Sequence, residues 1–168
     1  MNKNLYLTFL FIFLFLLQVF VLNNVLLFGY VNPYVYISFI FLFPFKKNRF
    51  PILTAAFSLG LLIDFFSNSG GIHAFATLFI AFVRLYFFKM VFQKNETDFD
   101  FFSLNQEAFG KTFNFTVILT VIHHFILFSL INFSFQNFSS VITNTLLSSV
   151  FTLMLYFLGS FIFSSKQQ

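Results

Sequence analysis

Asp64 is the residue of this chain that most invites a chemical reading. It lies in the stretch GLLIDFFSNSGGIHAF, residues 60 to 75, where a carboxylate interrupts an apolar run and Gly70, Gly71 and His73 follow. A carboxylate so placed is a candidate catalytic acid or a proton- or ion-handling group, because an ionisable side chain among apolar neighbours is costly to keep. Arg84 is the second costly residue, and the His123-His124 pair invites a metal. Adjacent residues on a helix point about 100° apart, so these two imidazoles do not share one ion, and no other pair has ligand spacing. There is no phosphate-cradling glycine loop with lysine, no GxSxG, no HExxH and no pair of carboxylates within an apolar span. The chain therefore reads as non-enzymatic, with no cofactor and no metal.

The elements that must position these residues follow from composition. The 168 residues are 59% hydrophobic and 8% charged, and the mean hydropathy is +0.90. A soluble core of this size cannot hide so much apolar surface, whereas a hydrocarbon layer of roughly 30 Å accepts helices of about 20 apolar residues. There are 35 Phe, no Trp and no Cys, so an interfacial aromatic belt rests on Tyr, and neither disulfides nor thiolate chemistry exist. The net charge of +4 suits nucleic acid or basic cytoplasmic loops, and the position of the charges favours the loops.

The expectation is an all-α integral membrane protein: one transmembrane domain over residues 1 to 168, with six helices at about 5–22, 33–45, 51–66, 72–92, 113–133 and 141–163. The first run is too long for a signal peptide and lacks a small-residue cleavage site, so it reads as a retained helix. The second begins at Asn32-Pro33, a cap followed by proline at the first helical position. It spans only roughly 20 Å before Lys46. Either residues 25 to 31 dip into the membrane as a shielded non-helical segment, or the bilayer thins. Six helices put both ends on one side. All nine Lys and Arg (Lys3, Lys46, Lys47, Arg49, Arg84, Lys89, Lys94, Lys111 and Lys166) then lie at or toward that side, which makes both termini cytoplasmic.

Asp64 shares a helix face with Gly60 and Ala56, and His73, Thr77, Ala81 and Arg84 share one on the next helix; small residues let these two faces pack closely. Asp64 is within a turn of the outer surface, and Arg84 lies roughly 18 Å deeper, so the two do not pair. His73 and the free amides at the start of the fourth helix are at the right height, and Gly70 and Gly71 permit the tight turn needed. Asp64 is thus expected to staple the outer turn, with ion handling and partner contact as alternatives. Arg84 either snorkels or makes a buried contact. One histidine of the pair faces the bundle and bonds to Ser, Thr or Asn, while Gln18, Asn23 and Asn24 are interhelical glue or turn formers. The polar connection from Gln93 to Thr112 holds four of the five acids among several Phe. It reads as a solvated loop resting its rings in lipid, or as a docking surface.

The stretch Gly60 to Arg84, GLLIDFFSNSGGIHAFATLFIAFVR, resembles the signature region of the MreD family of bacterial rod-shape-determining membrane proteins: a Gly-x-x-x-Asp helix end, a Gly-containing turn, a His-Ala pair and a long apolar helix. Gln18 to Pro44, QVFVLNNVLLFGYVNPYVYISFIFLFP, is similar to the first-hairpin region of that family. The resemblance implies a non-enzymatic subunit of the cell-elongation machinery in the bacterial inner membrane. Its partner would be an MreC-like single-span protein and, indirectly, the MreB filament, RodA and a penicillin-binding protein that build side-wall peptidoglycan. It also implies a helix arrangement resembling the substrate-binding subunits of energy-coupling factor transporters. A vitamin-type transporter subunit is therefore the competing function.

Overall fold

The computed structural model describes residues 2–25, 31–95, 98–99, 102–133 and 138–164. It is all-helical, with no strand among the described residues. Among the described residues, five helices are long and apolar enough to cross a membrane: Asn4–Asn24, Phe50–Ser67, Ile72–Phe92, Phe109–Ile131 and Phe138–Ile162. The first consists of α1 (Lys3–Leu16), a widened π turn (Leu17–Val21) and a 3-10 turn (Leu22–Asn24). The others are α3 (Phe50–Ser67), α4 (Ile72–Phe92), α5 (Phe109–Ile131) and α6 (Phe138–Ser164). Consecutive long helices α3 to α6 pack side by side in chain order.

The second expected span departs from a long helix. Only a 3-10 turn, Val35–Ile37, and the five-residue α2, Ser38–Leu42, are helical between residues 33 and 45. The segment is instead the centre of the bundle, with Val31 and residues 33 to 41 all buried. Its N-terminal part touches His73, His124 and Phe128 through Tyr34, and its C-terminal part touches Phe88, Phe99 and Phe115 through Phe45. It therefore runs from the end of the bundle where α4 starts to the end where α4 stops. Proline at 33 has no N–H to donate, and aromatic pairs on three sides replace helical regularity with packing. The re-entrant reading of residues 25 to 31 falls largely on residues 26–30, outside the described residues.

α3 and α4 approach closely because of one glycine. A Cβ added at Gly60 would lie 2.4 Å from Thr77 Oγ1, 2.5 Å from Ala74 Cα and 2.6 Å from the carbonyl oxygen of His73. Ala56, Leu59 and Ile63 of α3 and Ala74, Ala76 and Ile80 of α4 are all buried. The opposite end of the bundle is closed by rings. Phe99 and Phe102, from the connection after α4, pack on Phe45, Phe88 and Phe92, and Leu104 is buried beside them. Lys94 and Glu107 form an ion pair across this connection. These described rings of the acidic loop thus face the bundle rather than lying out in lipid.

Candidate functional site

The site begins at the turn between α3 and α4. Asn68, with φ 51°, caps the end of α3, and Gly70 and Gly71 follow with φ 68° and 95°. No atom stands within 4 Å of a Cβ built at either glycine, so the glycines serve the left-handed backbone and not a steric need. The turn brings the start of α4 onto the Asp64 carboxylate. Oδ1 accepts from the His73 amide at 3.0 Å and from the Ser69 hydroxyl at 2.5 Å, and Oδ2 accepts from the Ala74 amide at 2.7 Å. Asp64 is 4% exposed, and this charge is held by two free amides and the positive end of a helix dipole.

His73 extends the contact inward. Its Nδ1 lies 2.8 Å from the hydroxyl of Tyr36, which lies 3.0 Å from Nε2 of His123. On the other side of α5, His124 Nδ1 meets the Thr120 carbonyl at 2.8 Å, and its Nε2 meets the Thr152 hydroxyl at 3.1 Å. A carbonyl only accepts, so Nδ1 of His124 carries the proton and Nε2 accepts from Thr152. That leaves the Thr152 oxygen to accept the Tyr34 amide, 2.9 Å away. Both histidines of the pair face the interior, not one, because α5 has Tyr36 on one flank and α6 on the other. Tyr34 lies between the His73 and His124 rings, with centroids 5.4 and 5.5 Å away. Among the described residues, no three or more His, Asp or Glu are grouped to hold a metal.

The irregular central segment accounts for Gln18, Thr152 and Arg84. In an apolar interior every backbone N–H and C=O needs a partner, and non-helical backbone lacks its own. Gln18, turned inward by the π turn, donates to the Pro33 carbonyl at 3.1 Å and to Asn23 Oδ1 at 2.9 Å. Asn23 in turn donates to Ser67 at 2.9 Å. Thr152 takes the Tyr34 amide, and Arg84 donates to the Phe43 carbonyl, just beyond the end of α2. The Arg84 guanidinium also lies over the Phe45 ring, 3.7 Å from its centroid, a cation–π contact. Arg84 is 3% exposed, so it makes a buried contact and does not snorkel.

The structure thus brings Gly60, Asp64, Gly70, Gly71 and His73 into one corner, and places Arg84 apart from it at the far end of the central segment. Tyr34, Tyr36 and Thr152 belong to the site although sequence reasoning passed over them, and Ser69, part of the stretch it singled out, joins them as a partner of Asp64. The available signal was the pattern Pro33-Tyr34-x-Tyr36 in a span too short to cross as a helix, together with lone polar residues in the neighbouring spans. Comparison with protein-family models, curated proteins and solved structures finds no match for this chain.

Proposed function

We propose that this chain is a non-enzymatic scaffold of the bacterial cell-elongation machinery, similar to MreD, that binds an MreC-like single-span protein in the inner membrane. In this reading the chain crosses six times, by its five long helices and the buried segment 33–45, with both termini cytoplasmic. The course of that segment from one end of the bundle to the other supports the sixth crossing. The gathering of Lys46, Lys47, Arg49, Lys89, Lys94 and Lys111 around the starts of α3 and α5 and the end of α4 supports the orientation.

The observation that carries the reading is where the polar groups spend their bonds. Asp64 holds amides, Tyr36 joins two imidazoles, and Gln18, Thr152 and Arg84 hold the backbone of the central segment. A small-molecule site would aim such groups at a ligand. Here they brace a fixed shape, which suits a part that presents a surface to a partner. Thermal unfolding of the purified protein against vitamin-sized ligands tests this. The scaffold reading expects no saturable rise in Tm with any of them, and a stoichiometric, tight stabilisation by one would replace it with the transporter reading.

A further inference from the structure

A groove of about 400 Å³ opens on the side of the bundle between α1 and α3. Leu7 and Phe11 of α1, Phe39 and Phe43 of the central segment and Ala55 of α3 form its apolar wall. Asn4 and Thr8 supply the polar part of the lining, in the first two turns of α1. Ala55 is the smallest residue of the lining, and a larger side chain there would narrow the groove.

The chain itself brings charge to the polar end. The connection from Phe43 to the start of α3 joins the floor of the groove to its far wall, and it carries Lys46, Lys47 and Arg49, all exposed. No acidic residue precedes Asp64 in the sequence. Of the described acids near this end, Glu107 is paired with Lys94, and Asp98 accepts from the Asn95 amide at 2.9 Å. Lys46, Lys47 and Arg49 form no ion pair among the described residues. The slot thus has an apolar wall and polar groups from the start of α1, and the connection that leaves it at Phe43 carries three exposed cations within six residues.

We propose that this groove is a binding site for an anionic phospholipid. The first part of one acyl chain lies along Leu7, Phe11, Phe39, Phe43 and Ala55. The ester oxygens meet the Asn4 side-chain amide, a glycerol hydroxyl meets the Thr8 oxygen, whose own proton goes to the Asn4 carbonyl, and Lys46, Lys47 and Arg49 hold the phosphate headgroup. Basic clusters at the ends of membrane helices attract anionic headgroups, and arginine adds a planar fork that matches phosphate oxygens. Size favours a lipid over a partner helix. From Asn4 to Phe11 the groove follows α1 for roughly 10 Å, about two helical turns, which is short for a helix-to-helix seam. The inference rests on the membrane-embedded reading above and not on the identity of the partner.

Native mass spectrometry of the delipidated full chain in neutral detergent, with phosphatidylglycerol or phosphatidylcholine added, tests the site. The expected result is a discrete phosphatidylglycerol adduct at a concentration at least tenfold below that needed for phosphatidylcholine, with a matching rise in Tm. The combined variant K46Q/K47Q/R49Q should remove the preference for the anionic lipid. Ala55→Phe, or Ala55→Leu should the larger residue not fold, should weaken both lipids. Equal binding of the two lipids by the wild-type chain would overturn the proposal, as would unchanged binding in both variants. Glycerol 3-phosphate, which has the headgroup chemistry and no chains, should produce no shift; a full shift with it would reduce the site to a surface anion site. Loss of protein-partner capture by Ala55→Phe with lipid binding intact would assign the groove to a partner helix instead. Failure of lipid binding leaves the cell-elongation reading standing, and failure of partner capture leaves the lipid readout in place.

Discussion

The Tyr36 hydroxyl lies 2.8 Å from Nδ1 of His73, and this bond ties the irregular centre of the bundle to the first turn of α4. His73 serves two partners at once, its amide to the Asp64 carboxylate at 3.0 Å and its ring to Tyr36. The corner between α3 and α4 and the central segment are therefore one mechanical unit.

Tyr36→Phe keeps the ring and removes the hydroxyl, so two buried imidazole nitrogens lose their partner. Leaving a buried polar group unpaired costs about 1–3 kcal/mol, and the variant should lose stability on that scale in detergent. Tyr34→Phe should cost less, because Tyr34 is tied by its backbone amide and its ring contacts. Equal losses in the two variants would contradict the bridging role of Tyr36.

Asp64→Asn turns one acceptor into a donor that faces an amide N–H. The charge-assisted bonds it weakens are worth about 1.5–3 kcal/mol each, so the loss should be of that order while membrane insertion stays intact. His73→Ala should lose less, since its amide still reaches Asp64. Full stability of Asp64→Asn with loss of partner binding would make Asp64 an interface residue.

Glycine substitutions should separate steric from conformational need. Gly60→Ala places a Cβ 2.4 Å from Thr77 Oγ1 and must push α3 from α4, at about 1–3 kcal/mol. Gly70→Ala meets nothing but holds φ at 68°, a left-handed value that costs an L-residue about 1–2 kcal/mol. Gly159→Ala, in mid-helix with open space around it, should be neutral or stabilising by about 0.5–1 kcal/mol. Unfolding midpoints in one detergent rank the three.

Arg84 and Phe45 should couple. A double-mutant cycle with Arg84→Met and Phe45→Leu should be non-additive by about 0.5–2 kcal/mol, the range of a desolvated cation–π contact. Additive losses would mean that Arg84 acts through the Phe43 carbonyl alone.

The long helices were legible because each is a sustained apolar run with a clear stop: Pro51 opens α3 and left-handed Gln93 ends α4. The Asp64 corner was legible too, since depth along a helix is arithmetic and a helix start offers free amides. The segment 33–45 was not. Its residues are apolar throughout, and period alone does not distinguish a helix from an irregular strand of chain packed on all sides. For the same reason the roles of Gln18, Arg84 and Thr152 were hidden: each answers a backbone group whose lack of a partner exists only once that segment leaves the helix. The inward turn of both His123 and His124 was missed because α5 has packed neighbours on two flanks, which a single-face rule does not anticipate.

Crosslinking followed by affinity purification from the native membrane tests the scaffold claim most directly. The account predicts reproducible recovery of a single-span, MreC-like protein in near-equal amount with this chain, reduced when Gly60→Ala shifts the α3–α4 corner. Reproducible absence of any such protein, with the chain intact and crosslinked only to itself or to lipid, would contradict it.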